Sequence, residues 1–144
     1  MNLKKSLNTM LAAVLGTGLV IAGAANAQKY PDKPITLVVP FAAGGPTDTI
    51  ARLIAVPMGK SLGQTVVVEN APGAGGTVAS NKVAKAKPDG YMIYIHHMGM
   101  ATAQALYDKL PYDPMKDFEY IGQVADVPMV LLGRKNLPPN NFKE

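Results

Sequence analysis

The sequence predicts an α/β fold built on a parallel sheet. Three observations point there. Short β-rich runs alternate with helix-like stretches, the linking loops are short and glycine-containing, and the first run, Ile35-Thr36-Leu37-Val38-Val39, lacks the alternation of a half-exposed strand. Parallel neighbours need a crossover, usually a helix, so the alternation and the sheet type support each other.

Residues 1–27 read as a secretory signal. Lys4 and Lys5 make a basic start, Met10 to Ala25 is apolar and uncharged, and Ala25-Asn26-Ala27 fits a small-residue cleavage site. The apolar run is shorter than the roughly 20 residues a membrane span requires. Cleavage after Ala27 is expected, with the mature protein exported.

Tyr30-Pro31-Asp32-Lys33-Pro34 is an extended lead-in, because proline keeps its predecessor out of the helical region. The first strand, Ile35 to Val39, follows. From Thr49 to Leu62, Ile50, Leu53, Ile54 and Met58 recur at helical spacing, and Gly63 supplies the stop. Pro57 is expected to kink or split that helix, at a cost on the order of 3 kcal/mol. Thr65 to Glu69 reads as the second strand and Asn70 to Gly76 as a glycine-rich loop. Thr77 to Lys85 reads as a helix with Val78, Val83 and Ala84 inward. After the Lys87-Pro88-Asp89-Gly90 turn, Tyr91 to Ile95 is the third strand and Met100 to Tyr107 a short helix. Lys109 to Asp117 is irregular, and Phe118 to Val124 and Met129 to Leu132 read as two further strands. Asn141, with Glu144 three residues on, resembles the opening of another helix.

Composition narrows the function. Without residues 1–27 the chain keeps 12 basic against 10 acidic residues, spread singly, which argues against nucleic acid and against a polybasic membrane patch. The absence of cysteine removes disulfides, thiolate chemistry and cysteine metal sites. The two histidines, His96 and His97, are adjacent, and on an extended segment neighbouring side chains point to opposite faces, which disfavours a shared metal ion. Ser61 and Ser80 fall in helices, without the glycine-flanked elbow of an acyl hydrolase.

The glycine-rich junctions carry the functional signal. In Pro40-Phe41-Ala42-Ala43-Gly44-Gly45-Pro46-Thr47-Asp48-Thr49 the glycines allow positive φ or close approach of a bound group, and Pro46-Thr47-Asp48 suits a helix start. The first helix turn has amide donors without internal partners at a partially positive end, so a carboxylate can bind there without a cation. The alternative is that these residues only turn the chain. Asp48 is either a helix-end charge or a contact to a ligand amine or hydroxyl. Gly59-Lys60-Ser61 is not a P-loop, because the required earlier glycine is Ile54. A dinucleotide fingerprint from Gly73-Ala74-Gly75 fails at Val78.

Three stretches, PITLVVPFAAGGPTDTIAR, LGQTVVVENAPGAGGTVASNKVAKAKPDGY and YDPMKDFEYIGQVADVP, together resemble the periplasmic solute-binding receptors of tripartite tricarboxylate transporters, also called Bug receptors. The resemblance implies a non-enzymatic, cofactor-free, monomeric receptor with a periplasmic-binding-protein-like fold of two α/β lobes. Residues 28–132 would form the first lobe and 133–144 a truncated start of the crossover to the second. It implies capture of a small carboxylated solute for integral membrane permease subunits. The implied site comprises Ala43, Gly44, Gly45, Pro46, Thr47 and Asp48, then Ala74, Gly75, Gly76 and Thr77, and the loop after the third strand, His96, His97 and Met98. Many relatives carry a smaller, hydroxyl-rich version of that last loop. Independently, open parallel sheets bind ligands beyond the carboxyl ends of strands where the order reverses. In a 2-1-3 order that point lies between the loops after strands one and three. A rival reading is a small α/β enzyme holding a phosphate-containing ligand at a glycine loop; a third is an inactive truncated fragment.

Overall fold

The computed structural model describes residues 29–126, 128, 130, 132–136 and 143. The expected signal segment and the Asn141–Glu144 cap lie outside the described residues. Lys29 to Asp32 carry neither helix nor strand, and the fold proper belongs to the unit Lys33–Glu144.

Its elements are β1 (Ile35–Val39), α1 (Pro46–Leu62), β2 (Val66–Asn70), a 3₁₀ turn (Ala74–Gly76), α2 (Thr77–Ala84), β3 (Met92–Tyr94) and α3 (Gly99–Leu106). The sheet is parallel with order β2-β1-β3, Ile35 facing Val66 on one side and Leu37 facing Ile93 on the other. The 2-1-3 arrangement considered from the sequence is therefore present. Crossovers in parallel sheets are right-handed, so one that steps outward to β2 and one that steps back across β1 place their helices on opposite faces. That is why the central strand is covered on both sides: Ile35, Leu37, Val38 and Val39 are all buried. Leu37, Val39 and Ala51 form the core, packed by Phe41, Ile54, Val66, Val68, Ile93 and Ile95.

Several expectations are corrected. Helix α1 turns Ala51 and Ala55 into the sheet and leaves Leu53 68% exposed. Small residues let the helix approach closely, and Leu53 falls outside the stripe they define. Helix α2 likewise buries Ala79 and Ser80 while Val78 is exposed. Pro57 does not break α1, which runs through it. Pro57 and Leu53 are both exposed, so the carbonyl that loses its donor lies on the solvent side of the helix. Gly63 does end the helix, in the left-handed conformation, with its N–H on the Gly59 carbonyl. Gly59-Lys60-Ser61 lies inside α1, where a Cβ on Gly59 would stand 2.9 Å from the Gln64 carbonyl oxygen. Its glycine serves packing.

The expected strand Phe118–Val124 is not one. These residues carry no ladder, and Ile121 is 87% exposed. A strand exists by pairing, and none of the described strands pairs with this segment. Of the expected strand Met129–Leu132, Met129 and Leu131 lie outside the described residues, and Val130 and Leu132 are exposed and unpaired.

One buried carboxylate ties the layers together. Asp48, 2% exposed, accepts the Gly44 N–H at 2.8 Å and Arg52 Nε at 2.9 Å on Oδ2, and Asn70 Nδ2 at 3.0 Å on Oδ1. Asn70 Nδ2 also donates to the Phe41 carbonyl at 3.0 Å, and Arg52 Nη2 donates to Asn70 Oδ1 at 3.2 Å. The loop after β1, the first turn of α1 and the end of β2 thus share one knot. The Arg52 bond, then the Gly44 amide and Asn70, outweigh burial and hold the Asp48 carboxyl down at about 2, below its ordinary 3.8.

A pKa lowered by folding stabilises the native state above the unfolded value. This contribution is complete above pH 3.8 and is lost as pH falls through about 2. Asp48→Asn should lower stability near neutrality and flatten the acid limb of the urea midpoint against pH. A variant that tracks the wild type across that limb contradicts the knot. Leu37→Ala should cost about 2–5 kcal/mol by urea denaturation, whereas Leu53→Ala should stay within about 0.5 kcal/mol.

Candidate functional site

Three loops leave the carboxyl ends of the strands, and two meet through aromatic rings. Phe41, just after β1, stacks on His97 with centroids 4.7 Å apart and an interplanar angle of 9°, and meets His96 edge-on at 5.6 Å. The histidine rings are themselves edge-to-face at 5.0 Å. The expectation that they point to opposite faces is therefore corrected. β3 ends at Tyr94, and the alternation of a strand does not extend to residues 96 and 97. Among the described residues no group of three or more acidic, histidine or cysteine side chains is placed to hold a metal ion.

The loop after β1 turns at Gly44, whose φ is 83°; Gly45 has φ −77° and ψ 170°, ordinary extended backbone. The residue that requires glycine here is Gly44. Gly45 is the N-cap and Pro46 the first helical residue, a position where proline's missing N–H costs nothing. The Gly45 N–H points at the Ala42 carbonyl, at 3.4 Å, and the Thr49 N–H donates to the Gly45 carbonyl at 2.9 Å. The Thr47 and Asp48 amides and the Thr47 hydroxyl have no acceptor among the described residues. Asp48, expected at the site, spends its side chain on the knot, and only its amide is left to face a ligand. Ala43 is exposed on the rim.

The second glycine segment is a 3₁₀ turn with three successive positive φ values: Ala74 at 43°, Gly75 at 61° and Gly76 at 97°. Such a run is unfavourable for L-residues and needs support from its surroundings. Tyr107 donates its hydroxyl to the Ala74 carbonyl at 3.0 Å, and the buried Ser80 donates to the Gly76 carbonyl at 3.0 Å with its Oγ 2.9 Å from the Tyr94 hydroxyl. Burial pushes the Tyr94 hydroxyl's pKa up, keeping it a neutral partner. Neither tyrosine was singled out from the sequence as part of the loop support, because Tyr94 lies 14 residues from Ser80 and Tyr107 lies 33 from Ala74; Ser80, four residues from Gly76, makes a bond that helical spacing allows. Glycine at 75 and 76 is also steric. A Cβ would stand 2.7 Å from the Tyr107 hydroxyl or 2.6 Å from His96 Nε2. Thr77 opens α2, and Met98 occupies the N-cap position of α3 with an exposed side chain that makes no capping bond.

His96 is half-buried. Burial first, then His97, lowers its pKa to about 4, so the ring is neutral across the physiological range. A cavity of about 310 Å³ lies elsewhere, lined by Lys33, Thr36, Lys87, Tyr91 and Met92 where β1 and β3 begin. Its Lys33 ammonium lies 4.2 Å over the Tyr91 ring. Open parallel sheets bind at the opposite end, where the strands finish.

Comparison with known proteins bears on the family and the fold. The model of the tripartite tricarboxylate transporter family receptor matches residues 50–144. An Agrobacterium vitis protein of the TAR-I ttuE-ttuC' intergenic region is 49% identical over 96% of this chain and 40% of its own length. The structure of the periplasmic binding protein BugD is similar with a TM-score of 0.68 and 54% identity, over 79% of this chain and 38% of that one. MatC from Rhodopseudomonas palustris, solved with bound malate, gives 0.60 and 52%, over 62% and 31%. The chain thus spans about two fifths of the length of the curated relatives it matches. With the parallel β2-β1-β3 sheet and both glycine turns in place, the chain belongs to the tripartite tricarboxylate transporter receptor family.

Proposed function

We propose that this chain is the first lobe of a periplasmic, non-enzymatic receptor that captures a small carboxylated solute for the permease subunits of a tripartite transporter. The observation that carries the reading is the junction at Gly45–Asp48. There a helix start offers the Thr47 and Asp48 amides and the Thr47 hydroxyl, all without acceptors among the described residues, at the point where strand order reverses. The malate bound in MatC, a protein 52% identical over the matched part, supports a carboxylate as the guest.

Electrostatics support this arrangement. An anion beside Asp48 would be repelled by an unbalanced carboxylate, but Arg52 pairs with it at 2.9 Å. The local charge therefore sums to about zero, and the helix dipole decides the sign of the guest. In this reading the solute's other face is held by the second lobe.

The loop assignment is tested by calorimetry with malate on the full-length receptor. Gly44→Val should abolish capture, since a β-branched residue at φ 83° forces the turn to rearrange. Gly45→Ala should leave affinity nearly unchanged, because its backbone is extended and the nearest atom to an added Cβ is 3.4 Å away. The opposite ranking contradicts the assignment. Export is tested separately: mass spectrometry of the secreted protein should find Gln28 as the first residue, and retention of residues 1–27 contradicts cleavage.

A further inference from the structure

The loop after β3 holds a hydrogen-bond donor that the fold does not consume. The backbone N–H of His97 is a donor in every protonation state, and it points at His96 Nδ1 from 2.8 Å. That nitrogen must therefore offer its lone pair, and the proton of the neutral ring sits on Nε2. The His97 carbonyl, 3.0 Å from the same nitrogen, is then a neighbour and not an acceptor. His97 is set the same way, its Nδ1 accepting the Gly99 N–H at 2.9 Å and so capping the start of α3.

Packing fixes the His96 ring. Phe41, Tyr94 and His97 meet it edge-to-face at 5.6, 5.5 and 5.0 Å. Its Nε2 lies 2.6 Å from the point where a Cβ of Gly76 would stand, and Pro40 Cβ lies 3.2 Å from that same point. The donor thus stands where the ends of β1 and β3 and the second glycine turn converge, and it has no acceptor among the described residues.

We propose that His96 is a specificity-determining donor of this receptor, its Nε2–H recognising a second acceptor oxygen of the solute and favouring dicarboxylates and hydroxycarboxylates over simple monocarboxylates. The inference rests on the receptor reading above. The titratable groups that face the ring are His97 on its own loop and Tyr94 on β3; Phe41 and Gly76, which approach from the other two elements, are uncharged. A neutral ring, with its pKa lowered to about 4, remains a donor without adding charge to the cleft.

The test is calorimetry of the full-length receptor with malate and with butyrate, for wild type, His96→Phe and His96→Gln, plus nitrogen NMR of the imidazole. Phenylalanine keeps the ring and removes the donor; glutamine returns an N–H near the Nε2 position. The expected result is a loss of about tenfold or more in malate affinity for His96→Phe, as for one lost buried hydrogen bond. Butyrate affinity should be little changed, glutamine should recover most of the loss, and NMR near neutrality should show the Nε2–H tautomer. Unchanged malate affinity in His96→Phe, or an Nδ1–H tautomer, overturns the inference alone. Failure of the wild type to bind malate, citrate or glutamate overturns the receptor reading and this inference together.

Discussion

The architecture at the proposed site depends on one buried charge. Asp48 faces inward at the first turn of α1, and its two oxygens gather a loop amide, an arginine and an asparagine from three separate segments. Burying a lone carboxylate is costly, so the arrangement works only because every bond is made and Arg52 supplies the opposite charge. Its consequence for function is directional. By accepting the Gly44 N–H, Asp48 fixes the left-handed turn at Gly44, and that turn sets where the Thr47 and Asp48 amides point.

The mouth of the sheet offers donors that carry no formal charge. Two helix-start amides, one threonine hydroxyl and a neutral imidazole lie on loops that follow β1 and β3, and the second glycine turn closes against them. Arg52 is spent on Asp48, and Lys82 is paired with Glu69. Dipolar donors held in place by the fold cost little reorganisation when an anion arrives, which is the advantage of building such a site from backbone. The second turn offsets its three positive φ values through Tyr107, Ser80 and Tyr94, whose hydroxyls approach its carbonyls.

Much of this fold was legible from pattern. The uninterrupted apolar run of β1 announced a strand covered on both faces, and Gly63 announced the end of α1. The reversal of strand order then pointed to the loops of the proposed site. What escaped was what depends on contacts distant in sequence. Leu53 and Val78 fit a helical period yet lie outside, because Ala51, Ala55 and Ala79 set the contact stripe by their small size. Spacing reports an apolar face without saying which residues touch the sheet. Between Gly44 and Gly45 the sequence shows two glycines, and only the backbone angles tell which one the turn requires. Phe118 to Val124 has strand composition without a strand partner, and composition cannot supply one. The histidine pair was misplaced for a similar reason: alternation holds only while a strand lasts, and β3 stops at Tyr94.

A crystal structure of the full-length receptor with its carboxylate solute tests the central claim most directly. The account predicts a carboxylate oxygen within hydrogen-bond distance, about 2.7–3.2 Å, of the Thr47 and Asp48 amide nitrogens, with Asp48 still turned inward onto Gly44 and Arg52. A solute whose oxygens meet neither amide, or an Asp48 side chain swung out to contact it, would contradict the account.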